Sequence, residues 1–280
     1  MPSASDTETP IVRIEPSRGW ISLNLRALWE YRELLYFLIW REVKIRYKQT
    51  VIGLAWVILQ PLITILIFTV VFSHFARIPS DGIPYPIFAY TGLLPWSYFA
   101  SAVGRAGNSL LGDAQLLEKV YFPRPIIPIS SVVSPLVDFI FGFLVLLGMV
   151  MLYGYAPSIG VAALPLFMLF AAVTALAVGL WFAPLNVRYR DVGHIIPFII
   201  QIWMYACPII YPVSAVPEKW KLLYSLNPMV GVIEGFRWAL LGRSAPDYSA
   251  MVVGALVVVA LLFGGMVYFR RMERTFADVV

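Results

Sequence analysis

Six stretches of this chain are too long and too apolar to be left in water. A helix that crosses a bilayer needs about 20 largely apolar residues. Residues 53–75, 86–104, 159–185, 195–211 and 248–269 contain no Asp, Glu, Lys or Arg, and 126–153 contain only Asp138. Residues 139–187 are free of charge throughout, too long for one crossing, and the turn-forming residues at 154–158 divide them. Composition agrees: 60% of residues are hydrophobic and 13% charged, against about 45–50% and 25% in soluble domains. These runs predict an all-α integral membrane protein with six transmembrane helices.

Lys and Arg set the expected orientation. Counted by alternate segments, 16 fall on one side and 5 on the other. The richer side is expected to be cytoplasmic, and it holds both termini. The net charge of +5 follows from this asymmetry and calls for no nucleic-acid partner. A single cysteine, Cys207, excludes an intrachain disulfide. With only His74 and His194 beside it, no metal-ligand spacing exists. The charged start shows no signal-peptide pattern.

Three segments are neither spans nor simple loops. In residues 27–52, Tyr36, Trp40, Val43 and Tyr47 share a helical face. Arg41, Lys44 and Lys48 lie to one side of it and Arg46 to the other. Aromatic bodies flanked by cations are the pattern of a helix in the membrane interface, its cations reaching anionic headgroups. A soluble amphipathic helix in a cytoplasmic cap is the alternative. Between the second and third spans, Leu110, Leu111, Ala114, Leu117 and Tyr121 recur at helical steps until Pro123 and Pro125. That apolar stripe needs either a partner subunit or its own chain. Residues 211–248 are too apolar for a solvated loop and too interrupted to span. They read as two short helices broken at Asn227-Pro228, a re-entrant or interfacial hairpin before the last span.

Catalytic patterns are missing from the sequence. No Gly-Lys dipeptide exists, hence no P-loop, and there is no G-x-S-x-G elbow. Asp138 is the only intramembrane carboxyl group, and a structural or a functional role is open to it. Trp56 and Gln60 lie one helical turn apart on the first span. A Gln amide facing lipid would be unsatisfied at a cost of several kcal/mol. That face therefore meets another helix or a conduit, to which Tyr90 of the second span is a candidate contributor. Abundant aromatics suit stacking on sugar rings, although belts at the interface use them too.

Residues 41–62 (REVKIRYKQTVIGLAWVILQPL), 116–130 (LLEKVYFPRPIIPIS) and 185–212 (LNVRYRDVGHIIPFIIQIWMYACPIIYP), with SLNPM at 225–229 and EGFR at 234–237, resemble the ordered motifs of permease subunits of ABC-2-type polysaccharide exporters. O-antigen, capsule and teichoic-acid exporters share them.

The resemblance implies a homodimer of six-span subunits around a polymer channel. It implies two copies of a separate ATPase chain holding ATP and Mg, with no catalytic residue, metal or cofactor in this chain. A lipid-linked polysaccharide such as O-antigen would be moved across the bacterial inner membrane, its subunits in contact with membrane lipids. The first span would form the channel wall, with Trp56, Gln60 and Tyr90 as candidates. Gln115, Glu118, Tyr121, Phe122, Pro123 and Arg124 would face the ATPase. Tyr36, Trp40, Arg41, Lys44, Tyr47 and Lys48 would form the interface helix. The expected organisation is a cytoplasmic tail (1–26), the interface helix (27–52), the transmembrane domain (53–270) and a second tail (271–280). Competing readings are a permease for teichoic acid, a drug or a small lipid, and a membrane glycosyl- or acyltransferase. The last lacks a carboxylate or His cluster.

Overall fold

The structure, a computed structural model, describes residues 29–48, 53–155, 159–242 and 247–273. The tail 1–26, residues 49–52, part of the turn at 154–158 and the tail residues 274–280 lie outside the described residues. Every regular element described is helical. In order they are α1 (Arg32–Lys48), α2 (Gly53–Phe68), α3 (Tyr85–Gly112), α4 (Ala114–Lys119), α5 (Ile126–Val133) and α6 (Leu136–Leu152). They continue with α7 (Leu164–Arg188), α8 (Val192–Tyr205), α9 (Glu218–Ser225), α10 (Pro228–Leu241) and α11 (Tyr248–Glu273).

The apolar runs become helices with two modifications. α2 runs on into a π-helix, Thr69–Phe75, so the charge-free stretch 53–75 is helical to its end. The third run is divided at Ser134-Pro135, where the proline lacks an N–H to continue the ladder. Both residues nevertheless keep right-handed helical angles, with φ −56° and ψ −36° at Ser134 and φ −69° and ψ −10° at Pro135. The halves therefore form one apolar helix, Ile126–Leu152, of 27 residues.

Among the described residues four helices are long and apolar enough to cross a membrane: Ile58–Phe75, Ile126–Leu152, Ile159–Arg188 and Tyr248–Glu273. The other two expected spans differ for identifiable reasons. α3 has the length, 28 residues, but its polar and aromatic residues dilute its apolarity. α8 has 14 residues, about 21 Å at 1.5 Å per residue, short of a hydrocarbon core of about 30 Å.

α3 tolerates that composition because it is the central helix, with 19 of its 28 residues buried. Its tyrosine hydroxyls donate to carbonyls on neighbouring elements: Tyr85 to Ile210 at 3.0 Å, Tyr90 to Gly142 at 3.0 Å and Tyr98 to Val132 at 3.0 Å. Satisfied in this way, three phenols cost little in the interior. α7 lies along α3 at small residues. A Cβ at Gly179 would come within 2.6 Å of the Ala106 Cβ, so only glycine permits this approach. α11 packs on the far side of α7, where the Trp181 indole donates to the Leu261 carbonyl at 2.9 Å and stacks on Tyr268.

A separate apolar cluster closes the end of the bundle where α1, α7 and α11 meet. Leu38, Leu110, Phe122, Ile127, Leu180 and Phe269 are among its buried members. α9 and α10 break at Asn227-Pro228, as the spacing predicts. Asn227 caps α10 by accepting from the Met229 N–H at 3.1 Å. Gly242 ends α10 in the left-handed region, at φ 65°.

Candidate transport wall and docking helix

α1 binds its own chain through a column of side chains at four-residue spacing. Leu38 enters the apolar cluster. One turn on, the Glu42 carboxylate accepts from Ser131 Oγ at 2.9 Å and Ser134 Oγ at 2.6 Å. One turn further, Arg46 forms an ion pair with Asp138, to which Tyr47 also donates its hydroxyl. Arg41 reaches the other way, to Asp113 at 2.5 Å. Asp138 is thus the counter-ion of an α1 arginine, which gives the intramembrane carboxylate its partner. Burial lowers the Arg46 pKa, and Arg105 adds to the effect against the opposing pull of Tyr47 and Glu42. Burial raises that of Tyr47. The Arg46–Asp138 pair and the Tyr47 hydroxyl together tie α1 to α6.

A cavity of about 450 Å³ lies beside this pair, between α2, α3 and α6. Its wall carries Gln60, Thr64, Ser97, Tyr98, Ser101 and Asp138. Ser101 Oγ also accepts from Arg105 Nε at 3.3 Å. Such a wall offers hydroxyl and amide groups to a hydrated or hydroxylated ligand and presents no nucleophile with an adjacent base. Among the described residues no group of His, Cys, Asp and Glu could hold a metal ion.

The three channel candidates separate in space. Gln60 is exposed and lines the cavity. Trp56 is 53% exposed on the same helix. Tyr90 is fully buried, with its hydroxyl committed to the Gly142 carbonyl. It braces α6 from behind the cavity wall and offers no surface to a passing ligand.

The segment Gln115–Arg124 divides in the same way. Gln115, Glu118 and Tyr121 are exposed, Tyr121 by 73%. Phe122 is buried among Leu38, Ile127 and Phe269, a burial that stabilises by roughly 1.5–3 kcal/mol. Leu111, Leu116 and Leu117 pack on this cluster. The apolar stripe therefore meets its own chain, and the outward edge belongs to Tyr121. Pro123 and Arg124 are partly buried, and Arg124 donates to the Glu273 carbonyl.

On α1, which carries the candidate interface-helix residues, Tyr36 and Trp40 are exposed, as are Lys44 and Lys48, while Arg41 and Tyr47 are partly buried. Sequence reasoning missed Glu42 as a docking residue. The column 38, 42, 46 carried that signal, since one helical face repeats at four residues. It also missed the polar locks of α10. The Arg237 guanidinium binds Glu234 at 2.9 Å and lies 3.7 Å from the Phe88 ring centroid. Asn227 accepts from the Trp203 indole at 3.0 Å and donates to the Ala206 carbonyl at 3.0 Å.

A family model described as ABC-2 type transporter matches residues 33–241. The O-antigen export system permease protein RfbA of Myxococcus xanthus is 32% identical over 259 residues, covering 91% of this chain and 98% of that protein. An O-antigen export system permease protein RfbA of Klebsiella pneumoniae is 28% identical over 249 residues, with 89% and 95% covered. The polysialic acid transport protein KpsM of Escherichia coli is 22% identical over 238 residues, with 83% and 91% covered.

Proposed function

This chain belongs to the ABC-2 type transporter family, and from that premise we infer that it is the permease subunit of an ATP-driven polysaccharide exporter. The observation that carries this reading is its 32% identity to an O-antigen export permease across 98% of that relative's length. The chain is a multi-pass membrane protein and a transport subunit, and its family implies an ABC ATPase partner.

We propose a finer arrangement on the same reading. α2, α3, the α5–α6 helix, α7, α8 and α11 make six crossings of the bacterial inner membrane, with both termini cytoplasmic. α8 is completed by the turn beyond it, and the α9–α10 hairpin sits re-entrant on the outer side. The domain limits are those of the charge pattern: interface helix 27–52, transmembrane unit 53–270, and tails outside them. Two copies of the chain face each other through α2, whose apolar span is only 6% buried within one subunit. Trp56, Gln60 and the polar cavity beside Gln60 then contribute to a path for a lipid-linked polysaccharide. Two ATPase subunits hold ATP and Mg and press on Gln115, Glu118 and Tyr121. Phe122, Pro123 and Arg124 hold that segment in place.

A chromosomal deletion tests the reading. Cells lacking this chain should keep making polymer, lose it from the surface and recover it on complementation. Unchanged surface polysaccharide, or no polymer synthesis at all, would point to another exporter or to a biosynthetic enzyme.

A further inference from the structure

Apart from the Arg41–Asp113 ion pair at its edge, the face of α1 away from its docking column is exposed. Leu38, Glu42 and Arg46 turn inward. On the far side Phe37, Trp40 and Ile45 are 61%, 54% and 67% exposed. Arg41, Lys44 and Lys48 share that side at three- and four-residue steps, and with Ile45 they line a groove of about 240 Å³.

The three cations differ in how they are held. Arg41 is fixed by its ion pair with Asp113 at 2.5 Å, which orients the guanidinium. Its Nε is buried and has no hydrogen-bond partner among the described residues. Lys44 and Lys48 are exposed and form no ion pair with any described residue. A guanidinium oriented in this way, beside two ammonium groups that no described residue pairs, is a receptor for a compact oxyanion.

The apolar neighbours decide which oxyanion. Phe37 and Trp40 gain nothing from a soluble anion or an acidic protein surface. They do gain from the acyl boundary just beneath a layer of headgroups. We propose that Arg41, Lys44 and Lys48 form a discrete site for the phosphate of an anionic phospholipid, with Phe37 and Trp40 seated in the acyl layer below it. The site rests on the reading that α1 lies on the membrane surface. Because Arg41 is paired to Asp113 at the entry to the Gln115–Arg124 segment, a lipid held there steadies the docking helix and that segment together.

The test is native mass spectrometry of the full-length permease, released from mild detergent after exchange into mixed phosphatidylglycerol and phosphatidylcholine. Wild-type chains should retain phosphatidylglycerol in preference to phosphatidylcholine. Lys44→Gln with Lys48→Gln should cut that preference by about 30-fold, the sum expected for two cations at a lipid surface. Lys219→Gln with Lys221→Gln, on exposed α9, should leave it unchanged, and millimolar inorganic pyrophosphate should not displace the lipid. Equal retention by the Lys44/Lys48 variant would overturn the proposal. Displacement by pyrophosphate would overturn it too, assigning the groove to a diphosphate such as that of a lipid-linked substrate. Neither measurement depends on export, so a failure here is distinct from a failure of the permease reading.

Discussion

At the residue scale, the decisive contact is Arg46 with Asp138, supported by Tyr47. An isolated carboxylate in an apolar run demands a partner, but the partner lies 92 positions earlier and nothing local identifies it. Asp138→Asn removes the countercharge from a half-buried guanidinium. It should destabilise the chain by about 1–3 kcal/mol, seen as a lower thermal midpoint in detergent. Adding Arg46→Gln removes the stranded charge and should restore part of the loss. A double variant less stable than Asp138→Asn alone would show that the pair is not the source of the effect. Tyr90 illustrates the opposite problem. Sequence places an aromatic in a span and cannot say whether it faces inward or outward. Here the phenol is tied to the Gly142 carbonyl.

At the element scale, four of the six apolar runs were legible as membrane-length helices because burial in hydrocarbon demands unbroken apolar runs; the limits of α3 and α8 were not, since α3 continues to Gly112 and α8 stops at Tyr205. What was not legible is which face of each helix is already occupied. α1 has cations on both sides of its aromatic face. Only the docked structure shows Arg46 inward and Lys44 and Lys48 outward. Likewise the stripe ending at Tyr121 gave no sign that Phe122 is an anchor while Tyr121 is free. Phe122→Ala should therefore cost about 3–5 kcal/mol in stability, whereas Tyr121→Ala should shift it by no more than about 0.5 kcal/mol. Tyr121→Asp should leave folding intact and lower export about tenfold, the equivalent of roughly 1.4 kcal/mol of subunit contact. Full export by Tyr121→Asp would move the coupling surface elsewhere. Helix approach makes a second element-scale prediction. A Cβ at Gly235 would lie 2.4 Å from the Phe167 ring. Gly235→Ala should cost about 1–3 kcal/mol through overpacking, and Phe167→Leu in the same chain should recover part of it. Equal thermal midpoints for the single and double variants would exclude that clash.

At the scale of the whole molecule, the first membrane helix is almost bare, with only 6% of its apolar window buried, and Gln60 on it lines a polar cavity. Cysteine at Trp56 or Gln60, with Cys207 replaced, should react with a water-soluble thiol reagent and be shielded by trapped polymer. Reaction with lipid-soluble reagents alone would place this face against lipid. The sequence offers no phosphate-cradling loop, so the permease purified alone should hydrolyse no ATP, activity appearing only with its ATPase. Above all, this chain should carry polysaccharide across the membrane. The direct measurement uses inside-out membrane vesicles loaded on their outer face with labelled lipid-linked polymer. A polymer-cleaving glycosidase that cannot cross the membrane reports how much remains accessible. With this chain and its ATPase present, ATP should render the polymer resistant to the enzyme, and omitting either subunit should abolish that protection. Polymer that stays fully cleavable with both subunits and ATP, or becomes protected without this chain, would contradict the account.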